Sequence, residues 1–138
     1  MRDQDRIVKK MAAKFKYRWD TEQYKLRDAW FIMEENDKGK LEGDCEDFAL
    51  TLLYKLKGES LFKFWLSLII RESKICGVEM DGKICHAVLY YRGEYADNWT
   101  RKFVNKDVIN ANGFTFNRWM FTPIQVAFKM LYGKIKAK

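Results

Sequence analysis

The sequence predicts an α+β fold, and three observations carry that reading. Up to about residue 57, apolar residues recur at helical spacing. Beyond residue 66 the texture turns extended, with Leu- and Ile-rich runs and then strict alternation. Two turn signals, Asp81-Gly82 and Arg92-Gly93, join the extended runs into antiparallel hairpins. Helices first and strands second, rather than in alternation, is the α+β pattern.

Within residues 5–16, Ile7, Val8, Met11, Ala12 and Phe15 form the apolar face of an amphipathic helix. Asp20, with Gln23 three residues on, caps a second helix running to about Glu35, with Tyr24, Ala29, Trp30 and Met33 inward. Asn36-Asp37-Lys38-Gly39 is a loop, and Gly43-Asp44 is a second. A third helix starts at Cys45 and runs to about Lys57. Phe48, Leu52 and Leu56 form its stripe, Ala49 and Leu53 flank it, and Gly58 ends it. Ser60 to Trp65 reads as a short helical turn and Leu66 to Cys76 as a strand; the apolar run 61–70 is expected in the core.

Residues 83–91 are a strand, with Ile84, His86, Val88 and Tyr90 on one face and Cys85, Ala87, Leu89 and Tyr91 on the other. Glu94 to Thr100 is the returning strand. A two-residue turn at 92–93 pairs Tyr91 with Glu94, sets His86 opposite Trp99, and puts Asp97 opposite Val88, diagonal to His86 on the same face. Residues 105–112 form a loop or short helix. Phe114, Phe116, Trp119 and Phe121 suit the core or a sheet edge. Thr122-Pro123-Ile124-Gln125 opens a last helix with Ile124, Ala127, Phe128 and Leu131 on its apolar face.

The 138 residues suffice for one domain, 1–138, with a real core. Apolar residues at 48% exclude a disordered composition. The charge, 26 − 19 = +7, would suit acidic partners, yet basic and acidic residues alternate along most of the chain. A solvated surface is expected, not a nucleic-acid partner. Cys45, Cys76 and Cys85 lack CxxC spacing, and with a single histidine no zinc pattern arises. Reduced thiols in a cytoplasmic compartment are the expectation. The charged start Met1-Arg2-Asp3-Gln4-Asp5-Arg6 is no signal peptide, and no apolar run is long enough to span a membrane, so no membrane partner is expected.

The organising stretch is Gly43-Asp44-Cys45-Glu46-Asp47-Phe48-Ala49-Leu50. Asp44 is a good N-cap, which puts Cys45 at the first helical position, where unpaired N–H groups and the helix dipole favour a thiolate. With His86 on a strand and Asp97 on its hairpin neighbour, the parts of nucleophilic thiol chemistry are present. An imidazole takes the thiol proton, and a carboxylate holds the imidazole in the useful tautomer. The Cys45 amide supplies one oxyanion donor. No second is singled out among Gln23, Trp30 and Asn36. Cys76 and Cys85 read as core.

Gly-Asp-Cys-Glu-Asp-Phe-Ala-Leu, then His-Ala-Val-Leu, then Tyr-Ala-Asp-Asn resembles the bacterial transglutaminase-like cysteine proteinases, within the papain-like and transglutaminase-like superfamily. The match covers roughly residues 24–100, including Asp28-Ala29-Trp30. The resemblance implies Cys45 as nucleophile, His86 as base and Asp97 as orienting acid. It implies a helical lobe carrying the cysteine, packed on an antiparallel sheet carrying the other two. The implied activity is that of a cysteine peptidase on a protein or peptide substrate. Transglutaminase-type transfer to an amine, or a non-catalytic protein-binding module that keeps the fold, are the alternatives. The chain departs from the family in its short length and in lacking a secretion signal; its size would suit a phage-encoded member. Some relatives bind calcium through the acids flanking the nucleophile, here Asp44 and Glu46. An N-cap role for Asp44 and a solvated or salt-bridged Glu46 are expected instead, so no cofactor is.

Overall fold

A computed structural model describes residues 2–17, 30–80, 83–111, 113 and 115–136. The fold is α+β, with the helical half first. Helix α1 (Asp3–Lys14) buries Val8, Met11 and Ala12. It ends two residues before the expected point, because Phe15–Tyr17 leaves as strand β1 to pair in parallel with β2 (Leu41–Gly43).

Residues 30–35 are not helical, which corrects the expected second helix; its start, with Asp20, Tyr24 and Ala29, lies outside the described residues. The physical reason lies in helix α2 (Cys45–Leu56). Its Asp47 carboxylate accepts the Phe31 amide at 2.9 Å, and the Thr51 hydroxyl accepts the Met33 amide at 2.7 Å. Two residues of extended chain match one helical turn in length, so the segment runs along α2 as a side-chain-bonded strap. Trp30 and Met33 are buried as expected.

Helix α2 is the centre of the molecule. Phe48, Ala49, Leu50, Leu52 and Leu53 are fully buried, so it is enclosed on more than one face. It ends as predicted, with Lys57 as C-cap and Gly58 at φ +69°.

Helix α3 (Leu61–Ile69) replaces the expected strand from Leu66. Ser60 caps it by accepting the Lys63 amide, and Phe64 and Leu68, one turn apart, face the core. An apolar run this continuous hides its period, which is why helix and strand could not be told apart. Nor is the run core throughout: Leu61, Phe62, Leu66, Ile69 and Ile70 are exposed.

The sheet order is β5-β4-β3-β6, from β3 (Ser73–Met80), β4 (Lys83–Tyr91), β5 (Glu94–Ala96) and β6 (Thr115–Phe121), every pair antiparallel. The Asp81-Gly82 turn lies outside the described residues, but Met80 pairs with Lys83 across it. Arg92 at φ +49° and Gly93 at φ +90° form the predicted two-residue turn. One face of the sheet gives Ile75, Leu89, Tyr91 and Ala96 to the main core against α2. The other gives Cys76, Val78 and Val88 to a smaller cluster, closed by Val104 and by Ile109 of helix α4 (Lys106–Ala111).

The aromatic segment before Thr122 is the edge strand β6. Helix α5 (Pro123–Lys136) opens with the predicted reciprocal cap: Thr122 Oγ1 accepts the Gln125 amide, and Gln125 Oε1 accepts the Thr122 amide. The apolar face read from its sequence is turned to solvent. Val126 is buried, while Ile124, Phe128, Leu131, Tyr132 and Ile135 are exposed. Among the described residues, no helix is long and apolar enough to cross a membrane.

Candidate active site

Asp44 and Asp47 close a reciprocal capping box at the start of α2: Asp44 Oδ1 accepts the Asp47 amide at 3.1 Å, and Asp47 Oδ2 accepts the Asp44 amide at 3.3 Å. Burial, then the nearby Asp44 charge, push the Asp47 carboxyl well above its usual range, against the amides of Phe31 and Asp44. The box fixes Cys45 at the first helical position, in the turn whose N–H groups find no partner within a helix. Gly43 makes the approach feasible. A Cβ there would lie 2.6 Å from Met33 Sδ and 2.8 Å from Asp47 Cβ and Oδ2.

On the sheet, β5 pairs with β4 only back to Leu89–Ala96. The expected strand to Thr100 therefore stops at Ala96, and residues 98–100 form a turn. The reason is Asp97. Its Oδ1 accepts both the amide (2.7 Å) and the hydroxyl (2.5 Å) of Thr100, which curls the chain out of the ladder. Its Oδ2 meets His86 Nε2 at 2.6 Å. The diagonal His86–Asp97 contact predicted from the hairpin is thus made, by a carboxylate hanging off the end of β5. Burial works against the Asp97 charge, but the hydrogen bonds from His86 and Thr100 outweigh it and hold the carboxyl below its usual range. The Trp99 ring stacks on the imidazole, centroids 4.8 Å apart. A one-residue bulge at Cys85 precedes His86: Val78 pairs with His86 but Glu79 with Ile84. Such bulges re-aim the side chain that follows.

Helix α2 packs on β4, and the Ala87 backbone amide, next to His86 in sequence, is close enough to Cys45 to act on its thiol. Cys45, His86 and Asp97 are all buried. Nε2 is the imidazole nitrogen that meets Asp97.

The electrostatics run opposite to the expectation of an acidic thiol. The Cys45 S–H donates to Glu46 Oε2 at 3.2 Å. Burial first, and then the Glu46 and Asp44 carboxylates, push the thiol well above its ordinary value, with only the Ala87 amide pulling it down. The helix N-terminus does not overcome a desolvated sulfur between two carboxylates. Of the acids flanking Cys45, Asp44 serves the cap through Oδ1 and Glu46 meets the thiol through Oε2.

Of the candidate second oxyanion donors, Gln23 lies outside the described residues. The Trp30 amide points to Lys129 O at 3.4 Å, and the Asn36 side chain accepts the amides of Lys38 and Lys40. Cys76 is core as expected, with burial raising its thiol to about 11; the Cys85 side chain lies outside the described residues. Sequence reasoning missed Thr100 and the Glu46–thiol contact. The Asp-x-x-Thr spacing was a readable turn signal for the first.

No protein-family model matches the chain, and a search of curated proteins finds no match.

Proposed function

We propose that the chain is a cysteine peptidase-like hydrolase with a papain-like arrangement, cleaving a peptide or amide bond through Cys45, His86 and Asp97. The observation that carries the reading is the 2.6 Å His86 Nε2–Asp97 Oδ2 bond, with Asp97 anchored again by Thr100, beside a cysteine at a helix N-terminus. A core histidine needs only one partner. An aspartate held by three donors, aimed at one imidazole nitrogen, orients the ring.

The steps follow from that orientation. The carbonyl carbon of the substrate is attacked by Cys45 Sγ as His86 Nδ1 takes the thiol proton. Because the thiol starts protonated, transfer accompanies attack rather than preceding it. The oxyanion faces the Cys45 amide at the start of α2. Collapse breaks the C–N bond, and the amine leaves with the proton from Nδ1. Water, activated by the same nitrogen, then hydrolyses the Cys45 thioester. Asp97 stays ionised and holds the Nε2–H tautomer throughout.

One observation favours the second reading, a binding module that retains the fold: the thiol is buried and bonded to Glu46. The test is digestion of a peptide mixture followed by mass spectrometry, with hydroxylamine present and Cys45→Ala as control. Cleaved peptides that vanish in the control establish hydrolysis, and hydroxamates establish transfer. No product, together with a Cys45 no more reactive than Cys76, ends the catalytic reading.

A further inference from the structure

The four exposed apolar residues of α3, its C-cap Ile70 and the five of α5 belong to one surface. The helices touch, and beside them a groove of about 650 Å³ runs between the strap that begins at Trp30 and the Met130 and Leu131 side of α5, with Trp65 of α3 also in its lining. Leu61 and Ile69 sit one turn before and one turn after Trp65, so they extend its row. Phe128 and Ile135 extend the row of Leu131 in the same way. Phe62, Ile124 and Phe128 protrude most, at 76%, 69% and 66% exposure. The whole surface exposes on the order of 1,000 Å² of apolar area, where the largest patch of a monomer is a few hundred.

We propose that this face is covered by a second copy of the chain, in a two-fold homodimer. Three observations select that occupant. The area exceeds the roughly 800 Å² per partner of a standard stable interface. The face carries its own complement: protruding phenylalanines and a groove walled by tryptophan, the knob and hole a self-matching interface needs. It also carries both charge signs outside its apolar rows. Neither helix holds an acidic residue, but each supplies lysine, Lys63 on α3 and Lys134 on α5. The far wall of the groove supplies Glu34 and Glu42. An apolar centre with charges outside it is the anatomy of a homodimer interface. An anionic bilayer would gain from the lysines but be repelled by the two glutamates.

Sedimentation velocity of the full chain from about 1 to about 100 µM tests this. A dimer is expected, weakened at least tenfold by Phe62→Asp and by Phe128→Asp. Both side chains are exposed in the protomer, and circular dichroism checks that each variant stays folded. If a variant unfolds, the wild-type melting temperature decides: it rises with concentration for a dimer. A wild-type monomer across the range, or a dimer indifferent to both substitutions, overturns the proposal. So does a monomer that co-sediments with phosphatidylglycerol vesicles, which would assign the face to lipid.

Discussion

The carboxylate of Glu46 accepts a hydrogen bond from the Cys45 S–H at 3.2 Å, so the neighbouring residue favours the neutral thiol. The capping acid Asp44 adds a second negative charge. Removing the Glu46 charge should therefore free the sulfur. Glu46→Gln is expected to lower the apparent pKa of Cys45 and to speed its alkylation by iodoacetamide by about tenfold near pH 8, one pKa unit being a factor of ten. The check is the pH dependence of the alkylation rate, read by mass spectrometry with Cys76 as internal reference. An unchanged Cys45 rate would mean that burial and Asp44, not Glu46, set the thiol.

Asp97 holds His86 at one end and Thr100 at the other. In the proposed reaction Cys45→Ala and His86→Ala abolish turnover with the fold intact. Asp97→Asn is milder, costing at least about a hundredfold in kcat, because the imidazole keeps its place but loses its preferred tautomer. Thr100→Val should cost less again, since it removes one of three donors to Asp97. That ranking, measured as kcat on any cleaved peptide, separates an orienting carboxylate from a merely structural one.

How much of this was legible in the sequence follows from how local each feature is. The start of α2 was readable because the Gly43-Asp44 turn and the Asp44 cap are local, and that cap is observed; its reciprocal partner Asp47 was not read. The His86–Asp97 contact was readable because a two-residue turn fixes a hairpin's register, and Tyr91–Glu94 pairing is observed. What could not be read is non-local. The strap at residues 30–33 takes its hydrogen bonds from Asp47 and Thr51, sixteen and eighteen residues away. Strand β1 depends on a partner at residue 41. The outward turn of α5 is invisible in its periodicity, which shows a stripe but not what the stripe faces. The raised thiol was missed because burial of Cys45 is a property of the whole packing.

Gly43 is a packing requirement rather than a conformational one. Its missing Cβ leaves space already occupied by the backbone-fixed Cβ of Asp47, at 2.8 Å, as well as by Met33 Sδ. Methionine can move aside, but Asp47 cannot without opening the capping box. Gly43→Ala is expected to destabilise the protein by about 1–3 kcal/mol, the usual cost of overpacking. It should also disturb Cys45, two residues on. Urea denaturation gives the first effect, and the Cys45 alkylation rate gives the second. A variant of wild-type stability would show that the start of α2 is looser than described.

Glu72 joins three elements. It accepts Lys57 Nζ at 2.7 Å from beyond the end of α2, Ser67 Oγ at 2.8 Å from α3, and Arg92 Nε at 2.9 Å from the β4–β5 turn. Burial pulls its carboxyl upward, but those hydrogen bonds outweigh it and bring the value down from 4.5 to about 2. A depressed acid contributes stability that is fully present above its unfolded value and lost as pH falls through the folded one. The Glu72 share is therefore complete above about pH 5 and gone near pH 2. Solvent screening, with Arg92 largely exposed, discounts that share to about 1 kcal/mol. Glu72→Gln should remove most of that at pH 7 and nothing near pH 2, so the two unfolding curves converge on acidification. Urea midpoints for both proteins from pH 7 down to pH 2 measure it. A difference that stays constant over that range would mean that Glu72 acts through packing and not through its charge.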